Sequence, residues 1–136
     1  MEHFFKPNRI YAVVGASSNP AKYGNKVLNW YKTRNLPVIP VNPKPDPILD
    51  LKPVKSVADI QLPSGHDIAV SVVTPPEITR QLVEALPASG PVKALWLQPN
   101  THNPEIVRLA QGKVPDVITK CILMNGDKYL NKAPKI

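Results

Sequence analysis

The chain has 136 residues, the length of one ordinary domain, and its 43% hydrophobic content excludes intrinsic disorder. A single cysteine, Cys121, excludes an intramolecular disulfide and a multi-cysteine metal site, and no apolar run approaches bilayer-spanning length. The formal charge of +7 is uneven: residues 1–55 hold nine Lys/Arg against three Asp/Glu, and residues 56–136 hold eight against seven. Such a basic half attracts a phosphorylated small molecule, nucleic acid or anionic lipid, or is a solvated face without a partner.

In chain order, the opening MEHFFKPNRI lacks a secretory apolar core, so a cytoplasmic protein is expected. Ile10–Val14 is an apolar run ending at Gly15, the pattern of a buried strand. From about Lys22 to Arg34, Val27, Leu28 and Tyr31 share one helical face. Val38–Val41 reads as a second strand, Asp50–Val54 as a short extended piece, and Ser56–Ile60 as a brief helix. Asp67–Val73 is the third strand. Pro75 or Pro76 opens a helix in which Ile78, Leu82, Val83 and Leu86 are expected to face inward. Lys93–Leu97 is the fourth strand. Asn103 caps a helix begun by Pro104, with Ile106, Leu109 and Ala110 inward, and Asp116–Thr119 is the fifth strand. Beyond Asp127 the tail is polar and basic.

Strands alternating with helices imply right-handed crossovers and a parallel sheet covered on both faces. The expected architecture is a single three-layer α/β domain over residues 1–136, Rossmann-like, with a mostly parallel five-stranded sheet of order 3-2-1-4-5. Ligands of such sheets lie beyond the carboxyl ends of the strands, near the switch in strand order. The segments to weigh are therefore those that follow each strand.

After the first strand, Gly15 permits a sharp turn, and Ala16, Ser17 and Ser18 are small enough for a phosphate to approach the main chain. The following helix can direct its positive end at that anion, with Lys22 and Lys26 adding charge. A tight turn that needs small residues for geometry alone explains the same stretch. The second strand ends Asn42-Pro43-Lys44, where an NAD site usually has an acidic acceptor for the ribose hydroxyls. Lys44 suits instead an extra phosphate near the adenosine ribose, as in NADP or coenzyme A. Thr74-Pro75-Pro76 forms a stiff apolar edge after the third strand, and Gln98-Pro99-Asn100 sets an amide at the sheet edge after the fourth, either to orient a ligand amide or thioester carbonyl or to satisfy nearby backbone groups.

Taken together, "VVGASSNPAKYGNKV", "VIPVNPK", "VSVVTPPE" and "ALWLQPN", in this order and spacing, resemble the small stand-alone CoA-binding-domain proteins. These are similar to the CoA-binding Rossmann domain of the succinyl-CoA synthetase alpha chain without its second domain. The resemblance runs from about Phe4 to Leu130 and takes in "LKPVKSVADI" and the Cys121–Met124 segment. It implies that Gly15, Ala16, Ser17 and Ser18 wrap the CoA pyrophosphate and that Lys44 contacts the adenosine-side phosphate. It further implies that Thr74 and Pro75 border the adenine and pantetheine path, and that Gln98 faces the thiol end. Asn100 departs from the family pattern, where many relatives have glycine. The phosphorylated histidine of the synthetase belongs to its other domain, so the resemblance implies binding of CoA or acyl-CoA rather than ligase chemistry.

No Ser-His-Asp arrangement or nucleophile elbow is present, and His3, His66 and His102 lack metal-ligand spacing. Cys121, at the end of the fifth strand, is either a small buried hydrophobe or a thiol facing the same crevice. The expectation is a binding or regulatory protein without catalytic residues of its own. An NADP- or NAD-binding redox protein is the alternative. A nucleic-acid module is disfavoured because aromatics make up only 6% of the chain and no recognition motif is evident. An exposed edge strand or the basic half could support a homodimer.

Overall fold

The computed structural model describes residues 3–134; residues 1, 2, 135 and 136 of the expected domain lie outside the described residues. Five strands, β1 (Arg9–Val14), β2 (Val38–Val41), β3 (Asp67–Val72), β4 (Val92–Leu97) and β5 (Asp116–Ile118), form one parallel sheet in the order β2-β1-β3-β4-β5. Beyond β2, Val54 bridges in parallel to Val41, with its N–H donating to Pro40 O. Counted with this segment as the third strand, the sheet begins with the anticipated 3-2-1-4-5 winding, and β5 follows as a sixth strand. Counted on the five ladder strands alone, β3 lies beside β1 rather than outside β2. The connection after β2 thus recrosses the sheet, and the switch in winding falls between β1 and β3.

The helices α1 (Tyr23–Thr33), α2 (Pro76–Ala85), α3 (Pro104–Gln111) and α4 (Ile122–Asn131) form the outer layers, with a single 3-10 turn at Val57–Asp59. Period-two alternation divides the strand side chains between two cores. On one face, Tyr11, Val13, Ala69, Ala94, Trp96 and Ile118 meet Val27, Leu28, Trp30 and Tyr31 of α1 and Ile122 of α4. On the other, Ala12, Val14, Val70, Val72, Leu95 and Leu97 meet Val83 of α2 and Ile106 and Ala110 of α3. Each large side chain buried this way contributes roughly 1.5–3 kcal/mol, which is why both sheet faces must be covered. Phe4 and Phe5 join the first core rather than a surface patch. Asn103 caps α3 as expected, accepting from the Ile106 N–H at 2.9 Å.

Two expectations need correction. Ile78 faces solvent, and Thr79 takes the inward place in α2 with Val83. The polar side chain is tolerated there because its hydroxyl bonds to Thr74 O and Oγ1. The segment after Cys121 is not a polar tail from Asp127 onward: α4 continues to Asn131 and packs on α1. Its spacing of Ile122, Gly126, Tyr129 and Leu130 is helical, and the Trp30 ring occupies the space a side chain at 126 would take.

The amino edge of the sheet is pinned by a fork. Buried Arg9 donates to both Asp67 oxygens, at 2.8 and 3.1 Å, and to the carbonyls of His3 and Phe4. Burial alone would raise the Asp67 pKa, but the Arg9 hydrogen bonds and the charges of Arg9, Lys6 and Lys93 hold it below its usual value.

Candidate functional site

The carboxyl ends of β1 and β3 meet at the switch point, and the loop between β1 and α1 is folded over them. Gly15 has φ +93°, and a Cβ there would lie 3.1 Å from the Thr74 methyl and 3.2 Å from the Val73 backbone. The turn therefore demands glycine on both conformation and space. Gly24, in the first turn of α1, is tighter still: a Cβ there would sit 2.0 Å from Gly15 O. Helix and loop touch backbone to backbone, which brings the helix N-terminus against the strand end.

Three asparagines hold the loop open. Asn42 Nδ2 donates to Ala16 O at 2.8 Å and Asn25 Nδ2 donates to Ser17 O at 3.0 Å, drawing both carbonyls inward. Asn19 Oδ1 accepts from the Ala21 N–H, and its own N–H donates to Ser17 Oγ, leaving the Ser17 hydroxyl proton for an outside acceptor. Lys22 is the N-cap of α1, its side chain caps none of the first-turn amides, and that turn carries no acidic residue. An anion at this end meets unsatisfied amides and a positive helix terminus. The rim residues Ser18 and Lys22 are exposed, while Ala16 is buried beneath the loop.

The neighbouring loops complete the edge. Lys44 is exposed after β2, its N–H held by Asn42 Oδ1 at 2.8 Å. Asn42 thus ties the Lys44 turn to the β1 loop, a bracing role that the sequence reading did not assign it. Thr74 is half-buried after β3. Its Oγ1 lies 2.9 Å from Thr79 Oγ1 in a hydroxyl pair, and Thr79 Oγ1 also lies 3.2 Å from Thr74 O. Pro75 is exposed beside it as the α2 N-cap.

Gln98 lies deeper than the others, buried after β4. Its Oε1 accepts from the Ile122 N–H at 2.7 Å and its Nε2 donates to Cys121 Sγ at 3.5 Å, so it braces the start of α4. Asn100 has φ +69° and follows Pro99 in a turn closed by the Thr101 N–H donating to Gln98 O. That is the type II pattern, in which asparagine stands in for glycine at the left-handed position. Half-buried His102 follows, and burial pushes its pKa below the ordinary value. Among the described residues no His/Cys/Asp/Glu group could hold a metal ion, and no helix is long and apolar enough to cross a membrane.

Gly15, Ala16, Ser17, Ser18 and Lys22 thus share one loop. Asn42 joins it to the Lys44 turn, and Thr74 and Pro75 abut it across the switch point. Gln98 and Cys121 stand apart, on the β4–β5 side. Cavities of about 410 Å3 lie beneath α2 and beside β5, and neither is lined by any of these residues.

Among curated proteins, the alpha subunit of ADP-forming acetate–CoA ligase II from Pyrococcus furiosus is 35% identical over 85 residues, 62% of this chain and 18% of that subunit. The ADP-forming acetate–CoA ligase of Methanocaldococcus jannaschii is 36% identical over 67 residues, 49% of this chain and 9% of the ligase. The chain therefore spans less than a fifth of the length of either relative. Among solved structures, a conserved hypothetical protein of Pyrococcus furiosus is 37% identical with a TM-score of 0.70, covering 86% of this chain and 98% of its own. A hypothetical protein from Pyrococcus horikoshii is 30% identical with a TM-score of 0.75, covering 91% of this chain and 85% of its own. The family model described as the CoA binding domain matches residues 9–127, from the first strand into the last helix, and the chain belongs to that family.

Proposed function

We propose that this protein binds coenzyme A or an acyl-CoA across the carboxyl edge of the sheet, as a binding or regulatory protein without turnover of its own. The supporting observation is the backbone contact of Gly15 with Gly24 at the β1/β3 switch point, in a chain of the CoA-binding family. The pyrophosphate lies on the Gly15–Ser18 amides and the first turn of α1, with Ser17, Ser18 and Lys22 as donors. Lys44 takes the phosphate on the adenosine ribose. Thr74 and Pro75 border the path of the adenine and the pantetheine arm. Gln98 sets the thiol end from behind, through Cys121 and the start of α4. NADP is the competing ligand, because exposed Lys44 would serve its ribose phosphate equally.

A titration panel tests this reading with CoA, dephospho-CoA, acetyl-CoA, NADP, NAD and a short oligonucleotide, followed by calorimetry and by thermal shift. CoA is expected to bind tightest. Lys44→Ala should weaken CoA about fivefold, the loss of roughly 1 kcal/mol for one exposed charge-assisted contact, and leave dephospho-CoA unchanged. A clear response to NAD with none to CoA would sink the proposal.

A further inference from the structure

A cavity of about 410 Å3 lies on the flank of the sheet, between the outer strand, α4 and the N-terminal segment, and lysines dominate its charged lining. Lys120, Lys128 and Lys132 border it together with His3, and Phe4, Ile118 and Tyr129 supply its apolar surface. Lys128, in the last turn of α4, and Lys132, its C-cap, stand four residues apart at the same end of the helix. Asp116 is the one acidic residue in the lining. None of the three lysines belongs to the ion pairs found among the described residues.

The walls are held in place independently of any ligand. The Trp96 indole N–H donates to Lys120 O at 2.6 Å, and the Tyr129 ring stands edge-on to Trp96 with centroids 5.0 Å apart. Lys120 Nζ lies 5.6 Å from the Tyr129 ring centroid. Lys120, Lys128 and Lys132 are exposed, and three like charges around one concavity form a positive patch that attracts an anion. The volume falls in the range of small-molecule sites, about 300–1,000 Å3.

We infer that this flank cavity is a second anion site, separate from the carboxyl-edge groove, and that it takes a nucleoside polyphosphate. The phosphates lie among Lys120, Lys128 and Lys132, and the base packs on Tyr129. The base packed on Tyr129 is what a bare inorganic anion does not have. The inference does not rest on the CoA reading, since the two sites share no residue.

ADP and inorganic pyrophosphate are titrated by calorimetry into protein already saturated with CoA. ADP is expected to bind one further site, at least tenfold tighter than pyrophosphate, with affinity falling as salt rises. The double variant Lys128→Ala/Lys132→Ala should weaken ADP at least tenfold and leave CoA unchanged. Lys128→Arg/Lys132→Arg should retain most of the ADP affinity, and Tyr129→Leu should bring ADP down to the level of pyrophosphate. No further ADP site at CoA saturation, or ADP binding that survives loss of both lysines, overturns the inference. So does binding of a short RNA through the same lysines without any binding of ADP. Failure of CoA to bind, with ADP binding intact, would refute the edge-groove reading alone.

Discussion

Replacing Gly24 with alanine probes the contact on which the candidate site depends. The new Cβ would lie 2.0 Å from Gly15 O, 3.0 Å from Gly15 C and 3.2 Å from Ala16 Cα, where ordinary contact begins at 3.4 Å. All three obstacles are backbone, so α1 and the loop must separate by about 1.4 Å at the closest pair. Such overpacking costs about 1–3 kcal/mol. Alanine recovers up to about 1 kcal/mol in helix propensity, leaving a net destabilisation of about 1 kcal/mol. Binding should suffer more, because the loop amides lose their alignment. One forfeited hydrogen bond to a charged group is worth about 1.5–3 kcal/mol, roughly tenfold to a hundredfold in affinity. Urea unfolding and calorimetric titration with CoA measure the two effects separately. Gly112→Ala is the control: its nearest neighbour would be 3.5 Å away, so about 0.5 kcal/mol of stabilisation and unchanged binding are expected. A Gly24→Ala protein that is more stable and binds CoA as tightly as wild type would refute the reasoning.

The Arg9–Asp67 fork predicts a pH signature. Because the folded-state Asp67 pKa lies below the ordinary carboxylate value of 3.8, its stabilisation is complete above the unfolded pKa and disappears as pH falls through the folded one. Asp67→Asn should cost about 3 kcal/mol at neutral pH by uncompensating buried Arg9, with the gap closing below about pH 4. Urea titrations from pH 7 to pH 2 check this, and a gap undiminished at pH 2 would contradict it. Gln98→Ala orphans the buried Ile122 N–H and should cost about 1–3 kcal/mol, with faster amide exchange at the start of α4 than in α3. Alkylation of half-buried Cys121 should slow at saturating CoA; an unchanged rate would remove the thiol end from that corner.

The sequence by itself determined the alternation of strands and helices, the two-faced sheet and the identity of the edge loops. These follow from local rules: period two in the strands, period near four in the helices, and glycine or proline where the chain must turn. It also determined the α3 cap at Asn103, because capping is settled within three residues. Other features required the tertiary structure. Ile78 or Thr79 could each face inward by periodicity, and the hydroxyl pair with Thr74 decided for Thr79. The last helix was obscured by Gly126, whose place in a helix makes sense only once Trp30 fills the space beside it. Gln98 read either as a ligand-orienting amide or as a partner for backbone groups, and only folding shows which groups it meets, because they lie 23 and 24 residues away. The opening loop shows both limits at once. Gly15 announced a tight turn, but the need for Gly24 arises from a backbone nine residues earlier in the chain that arrives only through the fold.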